Sequence, residues 1–572
     1  MVSPLDDTEV IPSVREGTIA QQAGRGLRWS VVGILVTRMA SFGIGLVLAR
    51  LLTPKDFGIY ALAMAATAFV IHINDVGIIA ATVQWRGRLE DMAPTAATLA
   101  FLFSVALYGV VWVMAPWLCN LAASPDATPV VRLLTSIMVI DGITAVRSAA
   151  LMRRFQQDKL TMANVAGFLI QAPLSIFLAM NGAGPYSFAV GQVAGAVVTG
   201  CCIFALARIP FEIGFDREIS RKLLQFGAPL AASLGVEAIL VNADYVIVGR
   251  LLGVTALGFY LLAFNISSWV PGVITTGVRY VSVAGFSRLA EKEGSLESGA
   301  QRTIPAMVAL ILPITVLTAI LSPELVAFLY SDKWAPAGPV LRFLMILMAG
   351  RVLTAFIFDI LTSAGATRST LWLNLTWAVV LIPTLIVSTH VDGIRGTAIG
   401  HAAVAMVVAV PLSVALLAAA HVRLGPAVGA LRRLLFAGAV SAAVCILTLQ
   451  VLPDTPVVRL VVAGGLGLLA YLAIVVPRDA VLRRLGWAEH PSATATRRLS
   501  ISERRAYEPV HLRRATPPPP KRRRYNDRRR QKRGYQPAHL HRPTGAQRRE
   551  DDRGRDEVSS TTRLREPRAD HL

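Results

Sequence analysis

Between about residue 27 and residue 476 the chain is a succession of apolar runs, most of them 20 or more residues long, separated by short polar joints. A run of that length crosses the hydrocarbon layer as a helix, and no water is available there for an unpaired backbone group. This one feature removes almost every soluble fold. About fourteen spans are expected: 27–49, 57–81, 93–118, 128–151, 162–180, 184–207, 222–249, 256–284, 302–330, 338–364, 369–389, 393–420, 432–451 and 456–476. The expected class is an all-α integral membrane protein. Composition agrees, with 54% hydrophobic and 16% charged residues. Residues 1–26 hold Asp6, Asp7, Glu9 and Glu16 and no apolar core, so the first span is expected to act as its own insertion signal.

One joint is written twice. Arg50-Leu51-Leu52 returns as Arg250-Leu251-Leu252, and Gly58, Tyr60, Leu62 and Ala63 return as Gly258, Tyr260, Leu262 and Ala263. Further on, Asn164 and Pro173 line up with Asn374 and Pro383, the offset having drifted from 200 to about 210. A repeat of this kind predicts two pseudo-repeated six-helix lobes, 27–207 and 222–420, with the spans of 432–476 added. Within the joint, Thr53 suits a helix cap, Pro54 the first helical position and Asp56 the positive helix start. Tyr60 and Tyr260 are expected at a headgroup layer, where an amphipathic ring is well placed.

The joint carries a family likeness as well. "LARLLTPKDFGIYALA" followed by "NDVGIIAATVQ", and "YVIVGRLLGVTALGFYLLA" at 245–263, resemble Wzx-type polysaccharide flippases. These belong to the superfamily of multidrug, oligosaccharidyl-lipid and polysaccharide exporters. The likeness covers roughly residues 27–420. It implies alternating access between two lobes and a polyprenyl-diphosphate-linked oligosaccharide as cargo, moved from the cytosolic to the outer leaflet. It implies transport without a cofactor and without catalysis, and it places the first and seventh helices on facing walls of a central cavity.

Charge gives orientation. Starting from a cytosolic N-terminus, the inner joints collect 19 Lys and Arg and the outer ones eight. Positive charge stays inside, so both termini are expected in the cytosol and the protein in the cell membrane. Residues 477–572 hold 26 Lys and Arg against 12 Asp and Glu, a net +14 of the chain's +21. With the Pro517–Pro520 run and Arg clusters at 522–524 and 528–530, this tail is expected to be disordered and basic, touching anionic lipid. Nucleic-acid binding, with Tyr507, Tyr525 and Tyr535 as stacking rings, is the reading it is weighed against, and it is not expected beside a membrane domain. Cys119, Cys201, Cys202 and Cys445 have no metal spacing and read as small packing residues.

Charges inside spans are the candidate site. Arg38, Arg147, Arg279 and Arg351 fall within apolar runs, and four guanidinium groups facing lipid would cost roughly 10 kcal/mol together. Arg38 and Arg351 lie mid-span, while Arg147 and Arg279 are near enough to the cytosolic edge to snorkel. All four are candidates for binding a diphosphate, which a planar guanidinium fork suits. Asp75, Glu237, Asp244 and Asp359 are candidates for ion coupling or the cavity wall. Asp141–Arg147 and Arg351–Asp359 read equally well as structural ion pairs, and Asp244 as a helix-end pin for Arg250. Arg38 and Glu237 could meet across the cavity that the resemblance implies.

No G-x-x-x-x-G-K-[ST] phosphate loop and no nucleophile elbow are present in the sequence. Three functions therefore compete. The first is the lipid-linked oligosaccharide flippase, with glycosyltransferases or a polymerase of the same pathway as neighbours. The second is a cation-coupled drug extruder of the same fold, against which central arginines count. The third is a membrane component of an envelope polysaccharide assembly complex.

Overall fold

In a computed structural model, the structure describes residues 38–84, 89–154, 156–207, 209, 212–269, 272, 295–363 and 367–476, some with backbone only. The expected tail, Arg279 and the side chains of Asp75 and Glu237 lie outside the described residues. The helices in order are α1 (38–51), α2 (Pro54–Gln84), α3 (Leu89–Leu121), α4 (Thr128–Thr135), α5 (Ile137–Arg153), α6 (Gln157–Met180) and α7 (Tyr186–Ala207). There follow α8 (Arg217–Leu252), α9 (Val254–Trp269), α10 (Ser295–Ile320), α11 (Ser322–Tyr330), α12 (Ala337–Ser363) and α13 (Thr367–Val404). A π-helical turn, Ala405–Ala409, leads into α14 (Val410–Ala419), and α15 (Val428–Val451) and α16 (Pro456–Val475) close the series. Among the described residues nine stretches are long and apolar enough to cross a membrane. Large apolar side chains such as Val113, Phe177 and Val451 point outward, as lipid-facing residues do.

Polar chemistry places the helix starts. Thr53 and Asp56 form a reciprocal box: Asp56 N–H donates to Thr53 Oγ1 at 3.3 Å, and Thr53 N–H donates to Asp56 Oδ2 at 2.9 Å. Two donors at the α2 start are thereby satisfied, with Pro54 at the first helical position. Asp216 does the same for α8, accepting from the N–H groups of Glu218 and Ile219. Two helical hairpins are closed by glycines four residues apart. Gly191 packs on Ser175 of α6 and Gly195 on Gln171 and Gly167, while Gly396 and Gly400 pack on Ser388 across a sharp turn at Asp392–Gly393 inside α13. Small residues at this spacing bring helix backbones together where no hydrophobic effect drives them. Thr389 and Thr397 share a hydrogen bond of 2.8 Å across the second hairpin.

The two copies of the repeated joint meet in space. A Cβ on Gly58 would lie 1.7 Å from the Val254 carbonyl oxygen, and a Cβ on Gly258 would lie 1.8 Å from the Pro54 carbonyl oxygen. The first turns of α2 and α9 thus cross backbone on backbone, each glycine opening space for the other helix's carbonyl. The most extensive buried cluster surrounds this crossing and takes Leu48, Phe57 and Tyr60 from one half and Leu257, Tyr260 and Leu341 from the other.

A clasp from the second half finishes the α1 end. Trp334, fully buried, donates from Nε1 to the Ala49 carbonyl at 2.8 Å. Lys333 Nζ donates to the carbonyls of Arg50 at 2.9 Å and Leu52 at 3.0 Å. Arg50 returns the contact, donating to the Leu329 carbonyl. The last carbonyls of a helix lack intrahelical donors, and these side chains supply them. Burial pushes the Lys333 ammonium below its ordinary value, a penalty the two carbonyls offset. Ser331, which starts the clasp, sits at φ 76°, ψ 168°, a conformation that glycine tolerates and serine does not.

Two outcomes are expected. Gly58→Ala and Gly258→Ala should each destabilise the detergent-solubilised protein by about 1–3 kcal/mol, read as a fall of several degrees in its melting temperature. Trp334→Phe keeps the ring but leaves the Ala49 carbonyl without its donor, and should cost about 1 kcal/mol in the same measurement.

Candidate functional site

Arg38 opens the described part of α1, and its surroundings come from the other half of the chain. Its guanidinium lies on the backbone of Gly272, where a Cβ would stand 2.1 Å from Nη1. The Trp269 indole donates to the Arg38 carbonyl at 3.3 Å, and Phe42 packs on the Trp269 ring with centroids 4.9 Å apart. Arg38 is half-buried, on the seam where α1 faces α9.

A second polar group gathers on the inner side of the crossing. Tyr60 accepts a short hydrogen bond from the Gln192 amide and stacks on Phe188 at 4.1 Å. Its repeat mate Tyr260 donates to Asp244 Oδ2 at 2.8 Å. His401 Nδ1 stands 3.6 Å from the same oxygen. Tyr245 packs edge-on against Tyr260 at 6.0 Å, and the Arg351 guanidinium acts electrostatically on both phenols. Helices α2, α7, α8, α9, α12 and α13 all contribute.

These placements bear on two expectations. Tyr60 and Tyr260 are buried beneath the crossing, with their hydroxyls bonded to Gln192 and Asp244, so each ring has a protein partner beyond the expected headgroup setting. Asp244 is bonded to Tyr260 and faces His401, while Arg250 is exposed one and a half turns along α8; Asp244 does not pin the helix end.

Arg147 is only 2% exposed and is held within the first half. Its guanidinium lies over the Phe204 ring at 3.8 Å and donates to the Ile209 carbonyl at 3.4 Å. A cation held on an aromatic face in this way gains attraction from the ring. Arg351 is half-buried at the middle of α12, and Asp359 is buried two turns further along the same helix. Arg279 lies outside the described residues, as do the side chains of Asp75 and Glu237, so the meeting of Arg38 with Glu237 falls there too.

His401 and Gln192 were not singled out by the sequence reading. A histidine in an apolar span is itself costly, and that cost was the available signal. Gln192 could have been found from Tyr60, since a phenol conserved between two repeat copies needs a hydrogen-bonding partner in each.

The polysaccharide biosynthesis protein family matches residues 47–339, which is half of the chain and holds the crossing, the clasp and most of the polar group. The chain is 24% identical over 336 residues to the succinoglycan biosynthesis transport protein ExoT of Rhizobium meliloti, spanning 58% of this chain and 67% of that one. It is 20% identical over 397 residues to the lipopolysaccharide biosynthesis protein WzxC of Escherichia coli, spanning 68% and 78%. The fold resembles the solved lipid II flippase MurJ in an inward closed conformation, with a TM-score of 0.65 at 13% identity, over 80% of this chain and 99% of that one. By its matched residues and its fold, the chain belongs to the polysaccharide biosynthesis protein family.

Proposed function

We propose that this protein carries a polyprenyl-diphosphate-linked oligosaccharide from the cytosolic to the outer leaflet by alternating access. The observation that supports this most is Arg38, a permanently charged group kept half-buried on the seam between the two halves of the chain. A diphosphate carries the charge that a guanidinium there can meet with paired hydrogen bonds. Arg351, on the second half and half-buried, offers a second fork. A sugar needs hydrogen-bonding walls, and a polyprenyl tail can stay in lipid while the headgroup crosses. Family membership and the likeness to relatives whose names specify polysaccharide transport support the same reading.

In this reading 27–207 and 222–420 act as lobes, and 432–476 adds two further helices. Both termini are cytosolic, so the crossing of α2 with α9 and the clasp lie at the outer face. The protein sits in the cytoplasmic membrane with its outer gate shut. Arg147, stacked on Phe204, serves the packing of the first lobe and is left out of the cargo contacts. Anionic lipids meet the tail, and glycosyltransferases or a polymerase supply and consume the cargo.

Replacing Arg38 or Arg351 by Ala removes one charge-assisted contact with the diphosphate and should lower delivery of lipid-linked sugar to the outer leaflet at least about tenfold. Protein level and insertion should be unchanged. The measurement is periplasmic accessibility of the labelled lipid-linked sugar in a strain lacking the native gene. Normal delivery by both variants would remove the basis for a charged cargo site. Unchanged resistance to cationic drugs on overexpression separates this reading from the drug extruder.

A further inference from the structure

The two copies of the repeat differ chemically at one equivalent place. In the first copy Tyr60 is satisfied by the Gln192 amide, and the position 200 residues before Asp244 is Ile44. In the second copy the phenol meets a carboxylate, Asp244, whose side chain is fully buried. The scaffold is therefore built once without an acid at this place. A buried carboxylate is expensive unless several donors hold it; here the Tyr245 N–H donates to Oδ1 at 3.0 Å and the Tyr260 hydroxyl to Oδ2 at 2.8 Å.

His401 stands opposite. Its side chain is 3% exposed, its Nδ1 is 3.6 Å from Asp244 Oδ2, and that nitrogen has no hydrogen-bond partner. At 3.6 Å no hydrogen bond exists, yet the atom is aimed at the carboxylate. A buried imidazole nitrogen without a partner among the described residues, facing an oxygen of a buried carboxylate, is an arrangement that one added proton completes.

We propose that Asp244 and His401 form a proton-binding site through which the transport cycle responds to protons. The inference rests on the carrier reading above and names its coupling ion. A proton arriving from water adds to the Nδ1 lone pair of His401, and the new N–H donates to Asp244 Oδ2. The pair passes from net −1 to net zero, and the proton leaves by breaking the same N–H bond. Occupancy ties the second limb of α13 to α8, and vacancy releases it. Tyr260 from α9 and Tyr245 from α8 face the pair, Tyr60 from α2 acts electrostatically on Tyr245, and Arg351 from α12 is a positive charge that acts on both Tyr245 and Tyr260. The protonation state of the pair thus sets how strongly a bare carboxylate draws on Arg351, one of the two guanidinium groups assigned to the cargo.

The test uses the full-length protein in lipid nanodiscs with no cargo, so its result is separate from that of the delivery assay. The chain holds nine histidines; each is labelled with nitrogen-15 in the imidazole, and His401 is assigned by its absence in His401→Gln. From about pH 8.5 to about pH 5, wild-type His401 should gain a second N–H, and Asp244→Asn should need at least about tenfold more acid to reach the same state. Tyr260→Phe, which keeps the ring, should shift the same transition at least about threefold in proton concentration. A His401 signal that stays in one state, or that charges at the same acidity in Asp244→Asn and Tyr260→Phe, overturns the proposal. Exchange of choline chloride for sodium chloride should leave the wild-type transition in place. If sodium displaces it in wild type and not in Asp244→Asn, the site holds a metal cation and the proton assignment is wrong.

Discussion

The backbone crossing at Gly58 and Gly258 is the constraint from which the rest of the described structure follows. No side chain fits where each glycine meets the other helix's carbonyl, so at that point the two halves touch through main chain. Contact this close fixes the angle and depth of α2 against α9, and with them the positions of Tyr60 and Tyr260 immediately below. In a membrane, where lipid is as apolar as leucine, such close approach replaces the hydrophobic drive that would hold a soluble core. The clasp of Lys333 and Trp334 adds hydrogen bonds to carbonyls that the end of α1 leaves open.

Duplication supplied the scaffold, and divergence at a few positions supplied the chemistry. One phenol faces an amide and its twin faces an acid and an imidazole. Arg38 rests on a glycine of the opposite half, and Arg351 lies half-buried on the second half. Each polar group sits at or beside the seam between the repeats. Arg147 is the contrast: a guanidinium can also be stored inside one half, over an aromatic ring, where it holds helices together.

Much of this was legible before any coordinates. Apolar run length marked the helices because backbone satisfaction leaves no other choice, and the 393 boundary fell on the turn where Gly393 has φ 57°. Thr53, Pro54 and Asp56 read correctly as a helix start because capping is local. The partners of the joint's tyrosines were not readable, because an amphipathic ring fits an interface and a buried hydrogen bond equally well. The decision came from Gln192 and Asp244, 132 and 16 residues away in the chain. His401 was judged to carry little signal for a similar reason: alone on an apolar helix it says little, and its meaning comes from an acid on α8. Register along one helix was readable; which helices face one another was not.

Ser331 carries a consequence of its own. Its φ of 76° is held only while the turn bearing Lys333 and Trp334 stays seated on α1. A strained residue of this type costs about 1–3 kcal/mol, and that energy is returned once the turn lifts away. The clasp is thereby a detent and not a weld: its hydrogen bonds keep it seated against the strain of the residue that begins it.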